Sequence, residues 1–207
     1  ILSLNHNWAR HWAELADGRL LLIGVKVRGN CSLINHQLKD LPVSNHTFHI
    51  AAIKRNHETI LPNGDDEILD GDIVFFVTFE KDVDLIRELC GKKSFQIKRV
   101  LIMGGSRIAM RFALESEGRF DIKIIEPNRS ICERLATRLP DCEIEHGDAR
   151  DIDTLRENHI GQYDAFVALS DSSETNILAC LTAKEFGIRK TVADVENIQF
   201  IGQAESL

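Results

Sequence analysis

Apolar and polar positions keep one rhythm up to about residue 90 and another from residue 97. In the first stretch, Leu21, Ile23, Val25 and Val27 alternate with Gly24, Lys26 and Arg28, the two-residue period of a half-buried strand. A polar loop runs to Leu41-Pro42, and Phe48, Ile50 and Ala52 form a second alternating run. Leu61-Pro62-Asn63-Gly64 and Asp70-Gly71-Asp72 read as turns. The second turn leads into Ile73–Phe79, apolar at nearly every position, which predicts a strand covered on both faces, by this chain or by a partner subunit. Val83, Ile86 and Leu89 then step at helical spacing, and polar Gly91-Lys92-Lys93-Ser94 marks a domain boundary. Residues 1–91 are expected to form a small, β-rich α+β lobe.

From residue 97 short apolar runs alternate with helical patterns. Arg99–Met103, Asp121–Glu126, Cys142–His146, Tyr163–Leu169 and Thr191–Asp194 read as strands. Between them lie a helix carrying Ile108, Ala109, Phe112 and Ala113, and one capped by Asn128 whose face is Ile131, Leu135 and Leu139. A third helix starts near Asp151, a fourth carries Ile177, Leu178 and Leu181, and a last one starts near Asn197. Strands alternating with helices mean βαβ units and a parallel, doubly wound α/β sheet over residues 97–207. Five strands are expected, and the chain stops where a sixth would follow.

Charge narrows the partners. Residues 1–96 carry 11 basic and 13 acidic side chains, and residues 97–207 carry 14 and 19. Neither half has the basic surplus that duplex nucleic acid demands. No apolar run approaches about 18 residues, so none reads as a membrane-spanning helix. The five cysteines, Cys31, Cys90, Cys132, Cys142 and Cys180, contain no Cys-x-x-Cys pair. They signal neither zinc nor redox chemistry and are expected to be reduced and buried. The chain begins at Ile1 and its methionines are Met103 and Met110, so both ends are read as cuts in a longer polypeptide.

The chemistry concentrates at the first βα turn of the second half, Gly104-Gly105-Ser106-Arg107-Ile108-Ala109. Against G-x-G-x-x-G/A, Gly104 supplies the first glycine and Ala109 an accepted third, while Ser106 replaces the second. Ser106 brings a Cβ but also a hydroxyl, and Gly105 is expected to supply compensating backbone freedom. Glu126 lies 22 residues after Gly104 at the end of the next strand. That is the place of an acid that bonds a ribose 2′-hydroxyl, and it favours NAD over NADP. Gly147-Asp148-Ala149 and Ser170-Asp171 follow later strands, at the edge where open α/β sheets bind ligands. Asp171 with Glu174 reads equally as a capping box or as a ligand contact.

Val100-Leu-Ile-Met-Gly-Gly-Ser-Arg-Ile-Ala, Ile124-Ile-Glu126, Gly147-Asp-Ala149 and Ala168–Asn176 together resemble the N-terminal, Rossmann-like lobe of RCK/KTN domains. Gly24-Val-Lys-Val, Ile50–Arg55, Ile60–Asp65 and Leu69–Asp72 resemble the C-terminal lobe of the same family. A single unit of that family runs N-lobe then C-lobe. Here a C-lobe comes first, which resembles the middle of a tandem regulator of Trk-type potassium uptake. The resemblance implies a cytoplasmic, ring-forming homo-oligomer, peripheral to a TrkH-like membrane subunit that conducts potassium. It implies that Gly104, Gly105, Ser106, Arg107 and Ile108 hold phosphates and that Glu126 holds the adenosine ribose. Asp148 and Ala149 would flank the adenine, and Leu169, Ser170 and Asp171 would face the middle of the ligand. NAD or NADH is the expected cofactor; ATP, ADP or an idle site stay open because of Ser106.

No enzymatic role is expected. Tyr163 has Val167 where a Tyr-x-x-x-Lys dyad needs lysine, and His146 reads as an ordinary strand-end histidine. His46 and His49 would point to opposite strand faces, and His6 and His11 have no ligand set around them, so no metal site is expected. The alternatives are an NAD-dependent oxidoreductase and a regulatory subunit of another monovalent cation channel or antiporter.

Overall fold

The computed structural model describes residues 2–41, 47–56, 58–116 and 118–196. The chain divides into two compact units, with the seam between Phe95 and Gln96.

The first unit opens with a short helix, α1 (Leu2–Asn5), followed by strands β1 (His11–Leu15), β2 (Leu20–Lys26), β3 (Phe48–Arg55), β4 (Glu58–Ile60) and β5 (Ile73–Thr78), and helix α2 (Val83–Leu89). The strands form one sheet in the order β1-β2-β5-β3-β4, antiparallel throughout. The β-rich pattern begins earlier than expected, because β1 pairs with β2 through a turn at Ala16-Asp17-Gly18, all three at positive φ. β5 is central. Val74 and Phe76 are fully buried, while Phe75 and Val77 on the opposite face are half-buried. The expected alternation Phe48, Ile50, Ala52 is broken by a bulge between Ile50 and Ala52. The extra residue rotates the strand, so Ile53, and not Ala52, joins Ile50 in the core. Ile23, Val25, Leu33, Ile68 and Ile86 complete that core.

Among the described residues of this unit, one charged group is buried with it. The Asp72 carboxylate, 2% exposed, accepts from Arg55 Nε at 2.9 Å and Nη2 at 2.8 Å and from Leu69 N at 2.9 Å. The fork joins the turn before β5 to the end of β3.

The second unit contains β6 (Arg99–Met103), α3 (Arg107–Glu115), β7 (Asp121–Glu126), α4 (Arg129–Arg138), β8 (Glu143–His146), α5 (Ile152–Glu157), β9 (Ala165–Ala168), α6 (Ser173–Glu185) and β10 (Lys190–Ala193). All five strands are parallel, in the order β10-β9-β6-β7-β8. Right-handed crossovers then put α3 and α4 on one face and α5 and α6 on the other. Leu101, Met103, Ile125, Phe166 and Ala168 pack with Leu155, Ala179 and Cys180 on the second face. Strand order reverses between β6 and β9, so a crevice opens there at the carboxyl edge. The helix expected near Asn197, like His46, lies outside the described residues.

Candidate nucleotide site

The turn after β6 is shaped by two glycines with different tasks. Gly104 has φ +96°, and a Cβ on it would meet Leu169 O at 3.0 Å and Ser170 N at 3.1 Å. It serves both a left-handed turn and a close approach to the chain leaving β9. Gly105 does not supply the backbone freedom expected of it. It lies outside the left-handed region, and its lost Cβ makes room for Ile131 Cγ2 (2.7 Å) and Leu135 Cδ1 (2.8 Å) of α4. Ser106 takes an extended conformation and caps α3, its Oγ accepting from Ala109 N at 3.2 Å.

Glu126 is the buried acid of the edge. It is 7% exposed; Oε2 accepts from Gly105 N at 2.6 Å and Oε1 from Asn128 N at 2.7 Å. The carboxylate therefore ties the glycine turn to the start of α4, whose cap Asn128 accepts from Ser130 N and Ile131 N. A carboxylate has about four lone-pair sites, so each oxygen of Glu126 can accept one further hydrogen bond.

The chain after β9 is held by Asn176, 1% exposed on α6. Its Oδ1 accepts from Ser170 N (3.0 Å) and Ser170 Oγ (2.6 Å), and its Nδ2 donates to Ser170 O (2.8 Å) and Asp194 O (3.0 Å). Asp171 does not open the capping box it suggests. Ser172 is the cap of α6, accepting from Thr175 N, which shifts the motif by one residue. After β8, Asp148 is forked by Arg150 (Nε at 2.9 Å, Nη2 at 2.6 Å), which holds its carboxyl below the ordinary range.

These segments enclose a cleft of about 410 Å³. Of the residues selected from sequence, Gly104, Gly105, Ser106, Glu126, Asp148, Ala149, Leu169, Ser170 and Asp171 line it. Arg107 and Ile108 do not; they are exposed on the first turn of α3 and bring only backbone N–H groups, which have no partner within the helix. The sequence reading missed Arg150 and Thr175 in the lining and Asn176 behind it. The signal for Asn176 was an amide set among the apolar residues of α6. His146 does not line the cleft, and its Nε2 lies 3.0 Å from Pro127 O. Among the described residues no three metal-ligating side chains cluster.

The donors and acceptors suit a nucleotide. The first-turn N–H groups of α3 are suited to an anion, the glycine turn leaves space beside Leu169 and Ser170, and each Glu126 oxygen keeps a lone pair for a hydroxyl. Strand order, glycine turn and terminal acid define a Rossmann-like nucleotide-binding fold. Residues 100–207 match the TrkA-N domain model and residues 22–91 the TrkA-C domain model. The chain belongs to the TrkA-N domain family, here preceded by a TrkA-C domain.

The chain is 30% identical over 200 residues to the Trk system potassium uptake protein TrkA of Halomonas elongata, covering 96% of this chain and 44% of that protein. It is 30% identical over 193 residues to the protein of the same name from Haemophilus influenzae, covering 91% and 42%. The chain thus spans less than half the length of these relatives. Among solved structures, the GsuK RCK domain superposes with TM-score 0.59 at 16% identity, covering 94% of this chain and 42% of that one. The GsuK channel bound to NAD gives 0.58 at 16%, covering 96% and 36%. At that identity the likeness speaks for the fold alone.

Proposed function

We propose that this chain is a nucleotide-sensing regulatory part of a potassium uptake system, not an enzyme. The observation that carries the reading is the convergence of Gly104, Glu126, Asp148 and Ser170 from four strand ends on one cleft at the β6/β9 switch point. The relatives are named for potassium uptake and not for a catalysed reaction, and one structural neighbour is bound to NAD.

In this reading NAD or NADH is the first ligand, with ATP and ADP next. The first-turn N–H groups of Ser106, Arg107 and Ile108 face the diphosphate, since the Gly105 N–H is already given to Glu126. Glu126 accepts from the adenosine ribose, Asp148 and Ala149 border the adenine, and Leu169, Ser170 and Asp171 face the middle of the ligand. The order C-lobe then N-lobe marks the seam of a tandem protein, residues 1–91 closing one repeat and 97–207 opening the next. The full-length protein assembles as a homo-oligomer on the cytoplasmic side, against a TrkH-like subunit that conducts potassium. A nucleotide biases the assembly only by binding one of its states better, with a coupling of about 1–3 kcal/mol.

A thermal-shift panel tests the ligand. NAD, NADH, ATP or ADP is expected to raise the melting temperature of the purified chain, and NADP to raise it less. Equal shifts with NADP and NAD, or none with any nucleotide, contradict the reading.

A further inference from the structure

Outside the nucleotide cleft, two thiols far apart in sequence meet inside the first unit. Cys31 follows β2 and is 4% exposed; Cys90 caps α2 and is fully buried. Three hydrogen bonds lock their neighbours together. Ser32 N and Ser32 Oγ donate to Leu89 O at 2.8 and 3.1 Å, and Asn30 Nδ2 donates to Gly91 O at 2.8 Å. Residue 30 is thus fixed to 91 and residue 32 to 89, which sets 31 against 90. Gly91, at φ +61°, has no room for a Cβ, because Asn30 O would lie 2.5 Å from it. Within this clamp the two thiols lie in one buried core, and each is the largest influence on the other's titration.

The surroundings differ for the two sulfurs. Cys31 is held below the ordinary thiol range, first by the Cys90 thiol, then by the backbone N–H groups of Leu33 and Ile34 and the Lys92 ammonium, against the effect of burial. Cys90 is pushed up by the Cys31 thiol, by burial and by the charge on Cys31. Cys31 directly follows the exposed residues Arg28, Gly29 and Asn30 and is itself 4% exposed, against 0% for Cys90. A pair of thiols that merely filled space would need neither the mutual contact nor a nearby ammonium.

We propose that Cys31 and Cys90 are a reversible dithiol–disulfide couple, with Cys31 the attacking thiolate and Cys90 the resolving thiol. The oxidant is hydrogen peroxide. The Cys31 thiolate attacks one peroxide oxygen and the O–O bond breaks; Cys31 becomes a sulfenic acid, and the departing hydroxide takes up the thiol's proton to become water. The Cys90 sulfur then attacks the Cys31 sulfur, the S–O bond breaks, and hydroxide leaves as water with the Cys90 proton. One peroxide is reduced to two waters as two thiols are oxidised to one disulfide. The product cross-links the end of β2 to the end of α2.

Peptide mapping of the purified chain after hydrogen peroxide decides the matter. The expected result is a Cys31–Cys90 linked peptide, lighter by two hydrogens, that dithiothreitol restores to thiols. Cys31→Ser and Cys90→Ser each abolish it, and with Cys90→Ser the sulfenic acid on Cys31 accumulates and is trapped by dimedone. The wild-type map alone suffices if either variant fails to fold. Cys31 and Cys90 remaining thiols while half-buried Cys142 is oxidised would overturn the proposal. So would over-oxidation of Cys31 with no link to Cys90.

Discussion

Ser106 stands where the dinucleotide pattern asks for glycine, and its hydroxyl explains why the replacement is tolerated. Its Oγ accepts from Ala109 N and so satisfies one of the orphan donors of α3. Ser106→Ala is therefore expected to cost about 1 kcal/mol of stability and Ser106→Gly a few tenths, read by urea unfolding. Equal losses from the two would mean the hydroxyl is not the cap. Asn176 predicts a larger effect. Replacing it with Leu removes four hydrogen bonds around half-buried Ser170 and Asp194, so a loss of roughly 2–3 kcal/mol is expected in the same measurement. These residues were unequally legible. Gly104 and Glu126 stand at fixed offsets from a strand end, and spacing alone finds them. The task of Gly105 was misread because its neighbours Ile131 and Leu135 are remote in sequence. The Cys31–Cys90 contact leaves no local trace, since neither residue has a cysteine near it in the chain.

Elements were read best where the apolar period was long. The five strands of the second unit and helices α3 to α6 follow their patterns, with ends shifted by a residue or two; β9 is Ala165–Ala168 where Tyr163–Leu169 was expected. In the first unit β1 and β4 escaped. β1 mixes His11, Ala13 and Glu14 with one tryptophan, and its signal lay in the Asp17-Gly18 turn. β4 is three residues long and rests on β3. The bulge in β3 is invisible to a two-residue period because it inserts an unpaired residue. The Asp70-Gly71-Asp72 turn was legible, but not the pairing of Asp72 with Arg55. Arg55→Ala leaves the Asp72 carboxylate buried, so a loss of roughly 2–3 kcal/mol is expected, below the full cost of breaking a buried pair because Arg55 itself is one-third exposed. Chemical denaturation checks it, and an unchanged midpoint would show that water replaces the guanidinium.

At the scale of the molecule, the change of rhythm near residue 91 and the observed seam after Phe95 arise from the same cause. An antiparallel sheet centred on β5 gives way to parallel βαβ units, and each closes its own core. Alternation alone announces βαβ units; which ligand they hold is set by side chains at strand ends. The account therefore rests on the cleft at the β6/β9 switch point. Calorimetric titration of an adenine nucleotide, NAD first, into the wild-type and Glu126→Ala chains tests it most directly. Saturable one-site binding is expected for the wild-type chain, weakened about 10- to 100-fold by the substitution as a charged acceptor is lost. Binding of equal strength in both chains, or none in the wild type, would contradict it.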